Sequence, residues 1–128
     1  MRSRPATTGS SRSLPPGSLE RIGEANFLPD GRHVVFGGAE RGRPPRIYVQ
    51  RLDDGSGPRP VSPEGVRTNA LATPDGRFVW GASPASGHAL YPIAAGSPRP
   101  LPFLTTADQP LQWSPDARYL YVRGRDSW

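Results

Sequence analysis

Pro29-Asp30-Gly31-Arg32-His33-Val34-Val35-Phe36 is the stretch of this sequence that decides the fold. Its first four residues recur 45 residues later as Pro74-Asp75-Gly76-Arg77, and 41 residues after that as Pro115-Asp116-Ala117-Arg118. Self-similarity at a period of about forty residues indicates that one supersecondary unit is repeated along the chain.

Each copy of this turn lies between two runs that favour β-strands. Proline suits the second place of a tight turn because its φ is already near −65°, Asp can accept a hydrogen bond from its own backbone, and glycine tolerates a positive φ. The short, semi-apolar runs before the turns are residues 25–28, 70–73 and 111–114. The runs after the turns, rich in aromatic and β-branched residues, are 33–36, 78–80 and 119–122. Each copy therefore predicts a β-hairpin.

The first two copies continue beyond the hairpin. Arg46-Ile47-Tyr48-Val49 is matched 43 residues later by Ala89-Leu90-Tyr91-Pro92, which predicts a third strand. Pro58-Arg59-Pro60-Val61 is matched 40 residues later by Pro98-Arg99-Pro100-Leu101. Because proline lacks a backbone N–H, this fourth strand belongs at a sheet edge. Four antiparallel strands, the last one an edge, are typical of a β-propeller blade.

The turn, the apolar strand after it, and the Ile-Tyr-Val and Pro-Arg-Pro-Val runs resemble the TolB-type, WD-repeat-like β-propeller. The resemblance extends from about Arg21 to the end of the chain. More narrowly, the run from Pro98 to Val122 is similar to the C-terminal propellers of bacterial serine/threonine protein kinases. The resemblance implies a repeat module outside a catalytic domain.

These observations predict an all-β chain that forms an incomplete propeller of about two and a half blades. The predicted segments are a disordered tail at 1–20, blade 1 at 21–66, blade 2 at 67–107, and the first hairpin of blade 3 at 108–128. The tail is predicted to be disordered because it has almost no apolar side chain to bury.

The second and third copies depart from the repeat. Ala117 replaces the turn glycine, and Gly81 stands where the other copies have Phe36 and Val122. Pro92 falls in a strand that should lie inside a blade. We expect blade 2 to be poorly packed, and Ala117 to be strained if its turn needs a positive φ.

Composition narrows the function classes. All sixteen basic residues are arginine, spread along the chain and diluted by eleven acids, so no basic run indicates a nucleic-acid interface. The chain has no cysteine and therefore no disulfide or thiolate chemistry. It has no lysine, which excludes a Walker loop or a kinase phosphate-anchoring lysine.

The N-terminal residues lack the apolar core of a signal peptide, and no apolar run is long enough to span a bilayer. The chain as written is therefore expected to be cytoplasmic, or periplasmic if a longer parent carries an upstream signal or anchor.

No residue pattern predicts a catalytic, cofactor-binding or metal site. His33 is expected to pack at the start of a strand and His88 to lie in a loop, because neither has a metal-ligand or triad spacing. The repeated turn carboxylates are expected to cap their own turns; they are Asp30, Asp75 and Asp116. Residues 53–57, Asp-Asp-Gly-Ser-Gly, lack the distal Glu of a calcium loop and are interpreted as a hairpin turn.

Seven aromatic residues could form either inter-blade core or a recognition surface. Repeat-equivalent positions favour the core, with the terminal Trp128 as the exception. The seven are Trp80, Trp113, Trp128, Tyr48, Tyr91, Tyr119 and Tyr121.

The functional hypothesis is a non-enzymatic protein-interaction or sensor module from a bacterial signalling protein, which rests on fold-level analogy. Its partner would be another protein or the missing blades, with self-association possible because an incomplete repeat array leaves bare faces and edges. Three alternatives stay open: a piece of a Tol-type periplasmic envelope protein, the propeller of a prolyl-oligopeptidase-like serine peptidase, and a nonfunctional gene remnant.

Overall fold

A computed structural model describes residue 14 and residues 17–124 of the chain. The described part is all-β and contains no helix. The strands are β1 (Leu19–Phe27), β2 (His33–Glu40), β3 (Arg46–Arg51), β4 (Arg59–Pro60), β5 (Phe78–Ser83), β6 (Gly87–Pro92), β7 (Arg99–Pro100), β8 (Gln109–Trp113) and β9 (Leu120–Arg123).

The strands form three antiparallel sheets, in the order in which the repeats occur. Sheet 1 has the order β1-β2-β3-β4, sheet 2 the order β5-β6-β7, and sheet 3 pairs β8 with β9. None of these sheets closes into a barrel within the described residues. The predicted all-β, antiparallel character is confirmed, and sheet 1 has the predicted four strands.

Sheet 2 differs from the prediction because residues 70–73 do not form a continuous strand. Only two isolated bridges remain, Arg67 to Ala82 and Ala72 to Val79. Between them Ala70 has a φ of 64°. Its N–H donates to the Thr68 hydroxyl at 3.0 Å, and the next N–H donates to the Asn69 side-chain oxygen at 3.1 Å. These local side-chain acceptors compete with the ladder and interrupt the strand.

The three repeated turns share one geometry. The residue after the Asp donates its N–H to the carbonyl three residues earlier in all three copies, at 2.8 to 2.9 Å. In each copy the Asp Oδ1 accepts from the arginine N–H two residues on, as predicted for turn capping. The φ values at the glycine place are 69° at Gly31, 73° at Gly76 and 63° at Ala117. Ala117 is therefore the one of the three that has a Cβ in the left-handed region.

Ala117→Gly is expected to stabilise the fold by about 1 kcal/mol, because glycine adopts a positive φ without the steric cost that a Cβ brings. Gly31→Ala is the matched reverse change, since open space surrounds the Cβ that it would add. It should destabilise by a similar amount. Urea titrations of both variants check the prediction, and an Ala117→Gly variant that unfolds at lower urea than the native chain would contradict it.

The sheets stack face to face on two apolar clusters. The first joins Val35 and Val49 of sheet 1 to Val79 and Tyr91 of sheet 2. The second includes Trp80, Leu90 and Leu101, with Trp113 of sheet 3 packed against it. Successive strand residues point to opposite faces. Sheet 2 therefore uses Val79 toward sheet 1 and Trp80 toward sheet 3.

The expectation that Gly81 and Pro92 weaken the second repeat is wrong. A Cβ on Gly81 would lie 2.6 Å from Val66 Cγ1, 2.8 Å from Ile47 Cδ1 and 3.0 Å from Tyr91 Cε1. The glycine is a point of close approach between sheets 1 and 2, rather than a gap. Pro92 is the last residue of β6 and does not interrupt that strand.

The face of sheet 1 that points away from sheet 2 is buried at Phe36 and Tyr48. The Leu14 N–H donates to the Pro58 carbonyl beside β4, at 2.6 Å, whereas Leu19 opens β1 at the opposite edge. Phe36 and Tyr48 on this face are buried, and their rings stack with centroids 5.8 Å apart. Sheet 1 thus has a covered outer face.

The structure describes residue 14 and residues 17–20 of the predicted tail. β1 begins at Leu19, so the last two residues of the predicted tail at 1–20 are in a strand. Residues 1–13, 15 and 16 lie outside the described residues.

Candidate interaction surface

Sheet 3 exposes side chains whose repeat equivalents are buried. Counting from each turn, Tyr121 corresponds to Val35 in sheet 1 and to Trp80 in sheet 2. Tyr121 is 57% exposed, whereas Val35 is 0% and Trp80 is 1% exposed. Val122 corresponds to Phe36, and the two are 36% and 3% exposed. Residue type does not explain this difference, because the same apolar pattern is buried twice and exposed once.

The exposed face of sheet 3 is the one that points away from sheet 2. Trp113 packs on the second cluster and is the cross-strand partner of Leu120, so both side chains share the face toward sheet 2. Strand alternation then places Tyr119, Tyr121 and Arg123 on the opposite face. Val35 and Trp80 use the same face to pack on the following sheet, and the described residues provide no following sheet for Tyr121.

The edge of sheet 3 is open as well. β2 pairs with β1 and with β3, whereas β9 pairs with β8 alone within the described part of the chain. A β-strand with an unpaired edge offers a row of N–H and C=O groups to another strand.

The outer strand of sheet 2 borders the same open space. In sheet 1, Arg59 donates to the Ile93 carbonyl of sheet 2 at 3.0 Å, and Pro60 is buried. Burial lowers the pKa of Arg59, because the charged guanidinium loses water. Its repeat equivalent, Arg99, instead lies over the ring of Phe78 in its own sheet, 4.7 Å from the centroid. Both residues of β7 are exposed, so within the part of the chain that the structure describes the outer half of sheet 2 is not covered as that of sheet 1 is.

Two asparagine side chains join neighbouring sheets through residues 69–70, in the irregular segment before β5. Asn26 donates to the Ala70 carbonyl at 3.1 Å, and Asn69 donates to the Pro110 carbonyl at 2.8 Å. The sequence analysis missed both asparagines and Arg99. The repeated Pro-Arg-Pro run could have indicated the arginine, whereas nothing in the sequence marks the asparagine contacts, since their partners are backbone carbonyls.

The carboxylates of the three turn aspartates accept hydrogen bonds within their own turns. Hydrogen bonding lowers the pKa of each: the Arg32 backbone N–H contributes most for Asp30, the Thr73 hydroxyl for Asp75, and the Ser114 hydroxyl for Asp116. The three carboxylates therefore act as turn acceptors, as predicted. His33 begins β2 as predicted, and its Nδ1 lies 2.6 Å from Asp30 Oδ2.

The loop at 53–57 is also closed on itself. Asp54 Oδ1 accepts from the Ser56 N–H at 3.0 Å and from its hydroxyl at 2.6 Å, and these bonds lower the pKa of Asp54. Asp53 pairs with Arg51. Both carboxylates have protein partners in this turn.

The prediction that His88 lies in a loop is wrong. His88 lies in β6 and is buried. Its Nδ1 accepts a hydrogen bond from Trp80 Nε1 at 3.0 Å, and its Nε2 lies 2.7 Å from the Thr105 carbonyl oxygen. An indole N–H can only donate and a carbonyl can only accept, so the ring is neutral with its proton on Nε2. The repeat could not show this because, by the 43-residue offset of the third strand, the equivalent residue is Pro45, which precedes β3, and because Thr105 lies outside the aligned strands.

The aromatic residues divide between core and surface. Tyr48, Tyr91 and Trp80 are buried, as the core interpretation predicted. Tyr119 and Tyr121 are exposed, so that interpretation is wrong for them. Trp113 is partly buried, and Trp128 lies outside the described residues.

Among the described residues, no group of three His, Cys, Asp or Glu side chains could hold a metal ion. The same residues include no helix with the length and apolar character to cross a membrane. No protein-family model matches the sequence, and a search of curated proteins finds no match.

Proposed function

We propose that this chain is a non-catalytic protein-interaction module, a fragment of a TolB-like β-propeller from a bacterial signalling protein. Three antiparallel sheets of one repeat, stacked in chain order and joined by hydrogen bonds through residues 69–70, support the propeller interpretation. Each unit in such an array buries its faces against its neighbours, so a unit without one keeps an apolar face for a partner.

One observation carries the proposal: Tyr121 is exposed at a place where both sibling residues are fully buried. Exposed aromatic side chains grouped on one sheet are typical of protein interfaces, whereas single exposed apolar residues are ordinary. Tyr119, on the same face, is exposed too. The interaction surface therefore comprises Tyr119 and Tyr121 of sheet 3.

A photo-reactive amino acid placed at position 121, in cells of the source organism, tests the proposal. We expect a covalent adduct with a protein. The matched control is the same amino acid at position 52, because Leu52 is an apolar residue of similar exposure, directly after β3. An absence of adducts at position 121, or an identical set at both positions, would overturn the proposal.

A further inference from the structure

We infer that the open edge of β9 takes up one extended strand, antiparallel to it, with three consecutive apolar residues that include a tyrosine. The inference rests on the proposed function and names the chemistry of the partner. It derives from what fills the equivalent space in the other two sheets.

Sheets 1 and 2 provide the template for this strand. β3 lies antiparallel to β2, with Val49 opposite Val35 and Tyr48 opposite Phe36. β6 lies antiparallel to β5, with Leu90 opposite Trp80. Both strands contain three apolar residues in succession, Ile47-Tyr48-Val49 and Ala89-Leu90-Tyr91. Successive residues point to opposite faces, and both faces of these strands are buried. A strand beside β9 would meet the same demand, since sheet 2 lies on one side and the following space on the other.

The space beside β9 has a second wall that fits the same occupant. In the template, the outer half of sheet 1 is covered by sheet 2, which supplies the Ile93 carbonyl to Arg59. In sheet 2, the equivalent Arg99 lies over the face of Phe78, and β7 is exposed among the described residues. An extended strand beside β9 and the chain that follows it would cover β7 and offer backbone carbonyls to Arg99. The edge of β9 and the exposed half of sheet 2 thus border one site.

Among the described residues, no strand of this composition other than β9 itself is free to pair with that edge. Residues 1–13 and 125–128 have no run of three consecutive apolar residues. β3 and β6 are already paired on both sides.

A second copy of the chain fits poorly, although its Leu120-Tyr121-Val122 run has the right composition. Pairing β9 with β9 would require each copy to place its own sheet 2 over the other copy's β9. In each copy, however, the space beside β9 is already covered by the outer strands of that copy's own sheet 2, because neighbouring sheets stack strand over strand, as β6 does over β3 in the first cluster. The two copies of sheet 2 would therefore need the same space. The occupant is therefore a segment that brings no backing sheet of its own, which is the β-augmentation mode of peptide recognition.

A fluorescent peptide with the sequence of residues 45–53, Pro-Arg-Ile-Tyr-Val-Gln-Arg-Leu-Asp, is a direct probe for the purified 128-residue chain. We expect saturable binding in fluorescence anisotropy. Two N-methylated versions of the peptide sharpen the test, because alternate backbone amides of a strand point to opposite edges. Methylation of the amides that face β9 should abolish binding, whereas methylation of the other set should leave it within a few-fold.

Tyr121→Ser should weaken peptide binding at least tenfold. Leu111→Ser removes a comparably exposed side chain from β8, on the other strand of the same hairpin, and should leave the affinity within about twofold. Amide exchange of β9 with and without peptide provides a readout that does not depend on either variant, and we expect it to slow when peptide is bound.

Absence of peptide binding, equal binding of both methylated versions, or a dimer that protects β9 without peptide would each overturn the inference. The proposed function fails separately. A protein adduct at position 121 without peptide binding would retain the interaction module and remove only the strand mechanism.

Discussion

Gly81→Val should unfold the chain or destabilise it by more than about 3 kcal/mol, although valine is the residue that the third repeat carries at this place. The first atom of any side chain here would lie 2.6 Å from Val66 Cγ1. Valine at residue 66 is short and stiff at χ1, so it cannot turn aside as a long side chain could. Domains of this size are stable by only about 5 to 15 kcal/mol, so the expected loss is a large fraction of the total.

Urea titration followed by circular dichroism measures this effect, and Gly23→Ala is the matched control. A Cβ on Gly23 would meet only the Gly37 carbonyl oxygen, at an ordinary 3.6 Å, so this change should cost less than about 1 kcal/mol. The double variant Gly81→Ala, Val66→Ala should lose less stability than the two single changes added together, because the second opens space for the first. If Gly81→Val unfolds at the same urea concentration as the native chain, sheets 1 and 2 do not stack as described.

His88→Leu should destabilise the fold by about 1 to 3 kcal/mol, since it leaves a buried indole N–H without an acceptor. Trp80 is 1% exposed and its Nε1 donates to His88, so water cannot replace the lost partner. Trp80→Phe removes the donor itself and leaves the imidazole Nδ1 without its bond. In the double variant neither orphaned group remains, so its loss should be smaller than the sum of the single losses.

Chemical denaturation of the four proteins of this cycle gives the coupling energy between residues 80 and 88. A coupling of about 1 kcal/mol or more is expected for a buried pair in direct contact. Ser97→Ala, a change in an exposed loop residue, serves as the control for handling and should stay within about 0.5 kcal/mol. Strict additivity would show that the hydrogen bond contributes nothing to stability.

Much of the fold follows from the repeat, because strand patterning and turn chemistry are local. The third strands, the Arg-Pro edge strands and the Asp-capped turns all lie where the spacing predicts them. The strand predicted at residues 70–73 is not continuous, because the side chains of Thr68 and Asn69 accept hydrogen bonds from its first two backbone N–H groups. Gly81 was misinterpreted for a different reason: its role depends on Val66 and Ile47, which are distant in sequence and belong to another part of the stack.

The interaction surface was only half predictable. The sequence predicts that residues 119–122 form the second strand of a hairpin. It does not indicate that Tyr119 and Tyr121 share the face away from sheet 2, since that depends on the bulge between Pro110 and Gln112 and on which face Trp113 uses. Periodicity gives the alternation along a strand but not its direction relative to a neighbouring sheet.

The hydrogen bonds between sheets have a mechanical consequence. Sheets 1 and 2 are joined by hydrogen bonds at both ends of the stack: Asn26 bonds at the inner end and Arg59 at the outer end. Sheet 3 is bonded to the preceding sheet at the inner end, through Asn69, whereas Arg99 lies over a ring of its own sheet and does not make the equivalent outer contact. A force applied across the stack should therefore separate the outer end of sheet 3 from sheet 2 at a lower load than sheets 1 and 2 need. A bound strand would supply the outer contact and raise that load.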